Sequence, residues 1–268
     1  MSRTMIRRID AGEMLEQIVY NVPDHVRNVA AFDPEKPKRE RFQTPEEYER
    51  HKVNISRRNH LRWFQENFGP TSFYSTLTFD DEHEVHTFRE AKIIRANYRR
   101  VLQYACQDAV FFIYMGRGKS TDRIHFHMVS EGLDPQLIAE KWKYGSVKKI
   151  KKLRAHNFYN GVDHGADYTG LANYCFDHWT QEVGGHRWMM TKNARRPEIE
   201  EPEDAEDTYG ENNPPEAPEG YNLVEVETTK YGYMRFKFMH IEKKKEQKKK
   251  PIKVKVRIKK KPVRHRLD

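Results

Sequence analysis

Two cysteines, Cys106 and Cys175, are all that the 268 residues contain. So few, so far apart, exclude a disulfide framework and fit reduced thiols in a cytosol. No apolar run approaches the ~20 residues that a membrane-spanning helix needs. The first residues, MSRTMIRRIDAGEMLEQ, lack the apolar core of a signal peptide. A cytoplasmic location with no membrane partner is expected. Internal repeats are also missing, and 14 glycines and 13 prolines are too few for a fibrous or wholly disordered chain.

An acidic balance is missing too. Lys and Arg number 49 against 40 Asp and Glu, a net charge of +9. Residues 198–220 carry ten acids and no base, whereas residues 243–268 carry fourteen bases against two acids, a net of +12. The body remains basic without its tail, which points to a polyanionic partner. With 37% hydrophobic residues a core can form, and with 33% charged residues long stretches must face water.

Residues 1–44 read as a polar, weakly ordered N-terminal extension. A helix is predicted over Pro45–Asn67, ending before Gly69-Pro70. Phe73–Phe79, rich in aromatic and β-branched residues, reads as a strand. An amphipathic helix follows from about Glu84 to Gln107, with Val85, Phe88, Ile94, Tyr98, Val101 and Ala105 at helical spacing. Val110–Met115 and Arg123–Val129 read as the two strands of a hairpin. Asp134-Pro135 caps a short helix through Trp142, a basic strand covers Ser146–Leu153, and a last helix spans about Ala166–Gln181. The order β-α-β-β-α-β-α predicts an α+β domain, an antiparallel sheet with helices packed on it, over 45–197. The acidic segment 198–220 reads as a spacer, 221–242 as a further β-hairpin, and 243–268 as a flexible basic tail adding sequence-independent affinity for a polyanion. The tail stretch Ile252–Ile258 alternates like a strand.

Two features carry chemistry. In His125-Phe126-His127 the histidines share one face of a strand while Ile124, Phe126 and Met128 share the other. Two imidazoles so placed either grip one metal ion or stand as half-exposed surface histidines; spacing admits both. On the last helix, Tyr168, Leu171, Ala172, Cys175 and Trp179 form an apolar stripe, so Tyr168 reads as packing. Tyr174 lies off that stripe, as a functional or merely exposed tyrosine.

In this order, Phe73–Phe79, Arg123–Val129 and the Tyr174 helix resemble the three motifs of the HUH endonucleases, the rolling-circle replication initiators and their relatives. The resemblance covers about residues 55–200, with Leu77-Thr-Phe-Asp80, His125 and His127, and Leu171-Ala-Asn-Tyr174 as the matching positions; Arg187-Trp188 and Arg195-Arg-Pro197 are also similar. It implies a divalent metal, Mn²⁺ or Mg²⁺, held by His125 and His127, and Tyr174 as a nucleophile leaving a 5′-phosphotyrosine and a free 3′-OH. It implies origin DNA, single-stranded or supercoiled, as substrate, and a host helicase and polymerase as partners. Relaxases and single-tyrosine transposases are the neighbouring possibilities, and a non-catalytic single-strand binder the one from another class.

The chain departs from the family pattern in three places. The strand before the hairpin turn, Tyr114-Met-Gly-Arg117, offers no carboxylate as third ligand. Asp177 stands where the family often has lysine, and His178 where some relatives have a second tyrosine. His178, one turn from Tyr174, is therefore the candidate third ligand. Gly116-Arg-Gly-Lys-Ser-Thr121 mimics the end of a P-loop, but position 113 is Ile and the segment joins two strands. Its Arg117 and Lys119, with Arg123, are instead expected to contact DNA phosphates. A zinc site of His125, His127, His178 and Cys175 is disfavoured, because Cys175 lies on the apolar stripe.

Overall fold

The computed structural model describes residues 2–26, 28–36, 42–118, 121–178 and 188–241. The elements run β1 (Ser2–Ala11), β2 (Met14–Pro23), α1 (Pro45–Asn67), β3 (Phe73–Phe79), α2 (Phe88–Ala105), β4 (Val110–Arg117), β5 (Ile124–Glu131), α3 (Pro135–Lys141) and β6 (Gly145–Lys152). There follow β7 (Phe158–Tyr159), β8 (Val162–Asp163), α4 (Thr169–Asp177), β9 (Trp188–Met190), β10 (Glu198–Ile199), β11 (Glu203–Asp204), β12 (Tyr221–Thr228) and β13 (Tyr233–His240). The class is α+β with antiparallel sheets and, among the described residues, four helices. The tail stretch 252–258 lies outside the described residues, and no described helix is long and apolar enough to cross a membrane.

Local chemistry sets the helix starts. Thr44 caps α1, its hydroxyl accepting from the Glu47 N–H at 3.1 Å, with Pro45 in the first turn. Thr87 and Glu90 close a reciprocal capping box on α2. The buried side of α2 runs Phe88, Ala91, Arg95, Tyr98, Leu102, so Val101 and Ala105, expected on that stripe, are exposed.

The central sheet has the order β6-β3-β5-β4-β9. One face, with Leu77, Ile113, Met115, Phe126 and Met128, forms a core with Tyr98 and Leu102 of α2 and Ile138 of α3. The opposite face puts Phe112, Tyr114 and Val129 in a second core with Leu61 and Phe64 of α1, Ala172 and Cys175 of α4, and Met14 and Met239 of the other sheet. His125 and His127 lie on this face beyond Val129, under the end of α4.

The N-terminus differs from expectation. Residues 2–23 are not a weakly ordered extension but a ten-pair antiparallel hairpin joined through β2 to β13, in a sheet of order β10-β1-β2-β13-β12. Both faces of this sheet are packed: Met5, Ile9, Ile18 and Tyr20 on one, Ile6, Leu15, Val19 and Phe236 on the other. A strand buried on both sides loses the alternation that betrays a half-buried one. Its buried charges are paired: Arg62 donates to Glu16 at 2.6 Å and reaches Glu35 at 2.8 Å. Gly12 turns the hairpin at φ +64°, where an added Cβ would stand 2.7 Å from the Gln65 carbonyl of α1.

The acidic segment differs as well. Rather than a bare spacer, it lays β10 and β11 along β1, pairing Ile9 with Ile199 and Met5 with Asp204. Arg8 meets Glu203 at 3.0 Å, so part of its negative charge is spent covering a sheet edge. The hairpin expected at 221–242 is present as β12 and β13 but completes this same sheet.

Candidate metal and nucleophile site

Strand register assembles the site. Across β3 and β5, Thr76 stands opposite His127 and Thr78 opposite His125; across β4 and β5, Tyr114 faces His127 and Gly116 faces His125. Opposed residues share a face, so the histidines are flanked by Thr76, Thr78 and Tyr74 on one side and by Tyr114 and Gly116 on the other. The end of α4 brings Tyr174 and His178 over them.

His125, His127 and His178 each offer a ring nitrogen, and the three lie within 4.8 Å of one another. The two Nε2 atoms of His125 and His127 are 3.1 Å apart. Nitrogens each about 2.1 Å from one ion stand about 3.0 Å apart at a right angle and about 3.4 Å at a tetrahedral angle. The pair thus fits a shared cation. Burial holds His127 far below its ordinary pKa, at about 3, helped by His125, His178 and the Lys149 ammonium. Burial also lowers His125. Neutral imidazoles are what a metal requires.

The backs of the rings are also held. Tyr74 Oη lies 2.7 Å from His127 Nδ1, with Thr76 Oγ1 at 3.3 Å. Burial keeps the Tyr74 phenol protonated well above its usual range. An Nδ1–H donated to this oxygen leaves the Nε2 lone pair facing the cluster. His125 Nδ1 sits 3.4 Å from the Arg123 carbonyl.

Gly116 explains how the third imidazole enters. A Cβ at this position would stand 2.6 Å from His178 Cδ2 and 3.4 Å from His125 Nε2. The strand position that carries no carboxylate is the one whose missing side chain admits His178.

Tyr174 is 44% exposed, and its Oη lies 3.4 Å from His127 Nε2. Tyr168 is buried, its hydroxyl donating to the Arg154 carbonyl at 2.9 Å. Cys175 is enclosed in the second core, stands outside the imidazole cluster, and has its thiol pushed far up by burial. Asp177 makes two hydrogen bonds with Arg57, at 2.7 and 2.6 Å, tying the end of α4 to α1.

The arginines expected on phosphates are engaged within the protein. Arg117 donates to the Asp122 carboxylate and backbone and to the His86 carbonyl, and Arg123 binds Asp81 and Glu84. Both brace the β4–β5 turn against the loop before α2. Lys119 lies outside the described residues. The turn leads into β5 rather than a helix, so no P-loop forms.

Sequence reasoning overlooked Tyr74, Gly116 and Lys149. Lys149 has φ +57° at a bulge of β6, where the pairing shifts between Tyr74 and Thr76. Bulges re-aim side chains near sites. With Lys148, Tyr174 and both β5 histidines, Lys149 lines a cleft of about 460 Å³. The positively charged β6 was legible in the sequence; which residues it faced was not. No family model, no curated protein and no solved structure matches the chain.

Proposed function

We propose that the protein is a metal-dependent, single-tyrosine nicking and joining endonuclease for single-stranded DNA, acting at an origin to initiate rolling-circle replication. The observation that carries the reading is one phenol, Tyr174, exposed in a cleft 3.4 Å from His127 Nε2, where three imidazoles converge. The replicative role rests on the resemblance of the ordered motifs, and origin DNA with a host helicase and polymerase follows from it.

His125, His127 and His178 would hold a divalent cation, Mn²⁺ by imidazole affinity or Mg²⁺ by abundance. The cation would supply neutralisation of the phosphodiester's charge and polarisation of its phosphorus. Lys148 and Lys149 attract the strand into the cleft. The Tyr174 oxygen forms a bond to phosphorus as its phenolic proton departs. The P–O3′ bond breaks, and the leaving oxygen takes up a proton to become a free 3′-OH. The 5′ phosphotyrosine keeps the phosphodiester energy for rejoining.

The test is a denaturing gel of the full chain with single-stranded DNA and Mn²⁺. A covalent adduct is expected, absent in Tyr174→Phe and retained in Tyr168→Phe, with mass spectrometry placing the nucleotide on Tyr174. Binding without any adduct, across origin sequences and metals, would instead make this a non-catalytic single-strand binder.

A further inference from the structure

Beyond Tyr74 lies a second and larger cleft, of about 790 Å³. Its size is that of a small-molecule site rather than of a surface dimple. Tyr74, Leu153, Tyr168 and Leu171 supply apolar lining, and Tyr74 lines both clefts, so the two meet at the residue that holds His127.

Over this cleft stands the β7–β8 hairpin. Its turn is Asn160-Gly161 with φ of +49° and +80°, the two positive values that a tight two-residue hairpin requires. The base is braced by reciprocal backbone bonds between Asn157 and the segment 164–165, and by His156 against Asp163 at 2.9 Å. On so rigid and small a finger, Phe158 is 59%, Tyr159 68% and Val162 51% exposed. Large apolar side chains held out on a preorganised support mark a contact surface.

The surroundings say what the contact is. The adjoining edge strand β6 and its continuation present Lys148, Lys149, Lys151, Lys152 and Arg154, all exposed, with no acid among them in the chain. Lys151, Lys152 and Arg154 line the cleft together with Phe158 and Tyr159, and its two carboxylates, Asp167 and Glu225, lie 2.9 and 3.9 Å from the Lys237 ammonium, which also lines it. Cations spaced along an edge beside aromatic faces are the combination that binds a strand by its phosphates and its unpaired bases. In a duplex those base faces are covered by stacking, so the aromatics select a single strand.

We propose that this cleft seats one unpaired nucleotide beside the phosphate held at the histidines. Its base contacts the finger's exposed aromatics, which line the cleft, and its backbone lies along β6. The proposal rests on the nicking reading for the position of the scissile phosphate, and it assigns the specificity for unpaired DNA to the β7–β8 finger.

The experiment measures affinity by fluorescence anisotropy with the full chain, a labelled single-stranded oligonucleotide carrying an origin sequence, and EDTA to prevent cleavage. High salt suppresses sequence-independent attraction to the basic tail. Tyr159→Ala and Phe158→Ala, checked for unchanged thermal unfolding, are each expected to weaken binding about 5- to 150-fold. A single abasic position next to the nick site should cost the wild type a similar factor and cost the Tyr159→Ala variant little more. Unchanged affinity in both folded variants overturns the proposal, and so does an abasic scan in which no position stands out. The adduct gel keeps the two readings apart: adduct formation with unchanged affinity in the variants sinks only the nucleotide seat. Loss of affinity in the variants, when the wild type forms no adduct on any DNA, sinks only the nicking reading.

Discussion

Replacing Gly116 by Ala should displace the proposed third ligand, His178, without changing its side chain. The added Cβ would stand 2.6 Å from His178 Cδ2, too close to remain, and 3.1 Å from the His178 carbonyl, tight enough that this backbone must also give by a few tenths of an ångström. Gly116 lies within β4, its φ is not positive, and alanine suits a strand backbone better than glycine. The ladder should therefore survive while the end of α4 moves away and carries the third imidazole with it. Loosening the support of a metal ligand costs about 10- to 100-fold in affinity, or about 1.4–2.7 kcal/mol, and displacing the ligand should cost at least that. Isothermal titration with Mn²⁺ on wild type, Gly116→Ala, His178→Ala and the double variant forms a closed cycle. If Gly116 acts by admitting His178, its cost vanishes once His178 is gone. Additive losses, or a Gly116→Ala protein that binds Mn²⁺ like the wild type, would refute the steric argument.

Tyr74→Phe keeps the ring but removes the hydroxyl 2.7 Å from His127 Nδ1; Mn²⁺ affinity should fall about 10- to 100-fold by the same titration, with secondary structure unchanged. His60, buried in α1 against Tyr114 at 2.8 Å, has its pKa pushed by burial from 6.5 down to about 3. Below pH 6.5 the unfolded chain takes a proton that the folded one refuses, so stability contributed by neutral His60 is present above 6.5 and lost as pH falls, at about 1.4 kcal/mol per unit down to about pH 3. Urea titrations from pH 7 to 4.5 should show a shallower slope in His60→Gln; equal slopes would contradict the assignment. Arg62 faces Glu16 and Glu35 in the interior, where Arg62, Arg235 and Lys237 together outweigh burial and hold the Glu16 carboxyl below its usual range. Arg62→Met leaves Glu35 to Arg58 at 3.1 Å and Glu16 to Arg235 at 3.7 Å, and this loss of a shared buried cation should cost up to about 3–5 kcal/mol in urea unfolding, partly recovered by adding Glu16→Gln.

Sequence periodicity located four of the five strands of the central sheet closely, and the three-residue β9 escaped it. Pro45–Asn67 and Phe73–Phe79 match the observed α1 and β3, and the hairpin of β4 and β5 differs only at its ends. These strands have one face on α2 and α3, and their helices carry Thr44, Thr87 and Asp134 as caps, so local chemistry and pattern agree. Of the second sheet only the β12–β13 hairpin was legible, and the rest was hidden for the opposite reason. β1 and β2 are covered on both faces, their arginines and glutamates are neutralised by partners distant in the chain, and strands of two residues such as β10 and β11 have no period to read.

For the site, the chain itself determined that His125 and His127 share a strand face, that Tyr174 leaves the apolar stripe of its helix, and that Tyr168 stays on it, because these follow from the 2.0 and 3.6 periodicities alone. Only the tertiary structure decided that Tyr74 backs His127, that Lys149 enters at a bulge, that Arg117 and Arg123 brace a turn, and that His178 occupies the space above Gly116. Those are contacts between elements far apart in sequence. They are set by the register of β3 and β4 on β5 and by the docking of α4, and neither leaves a trace in local spacing.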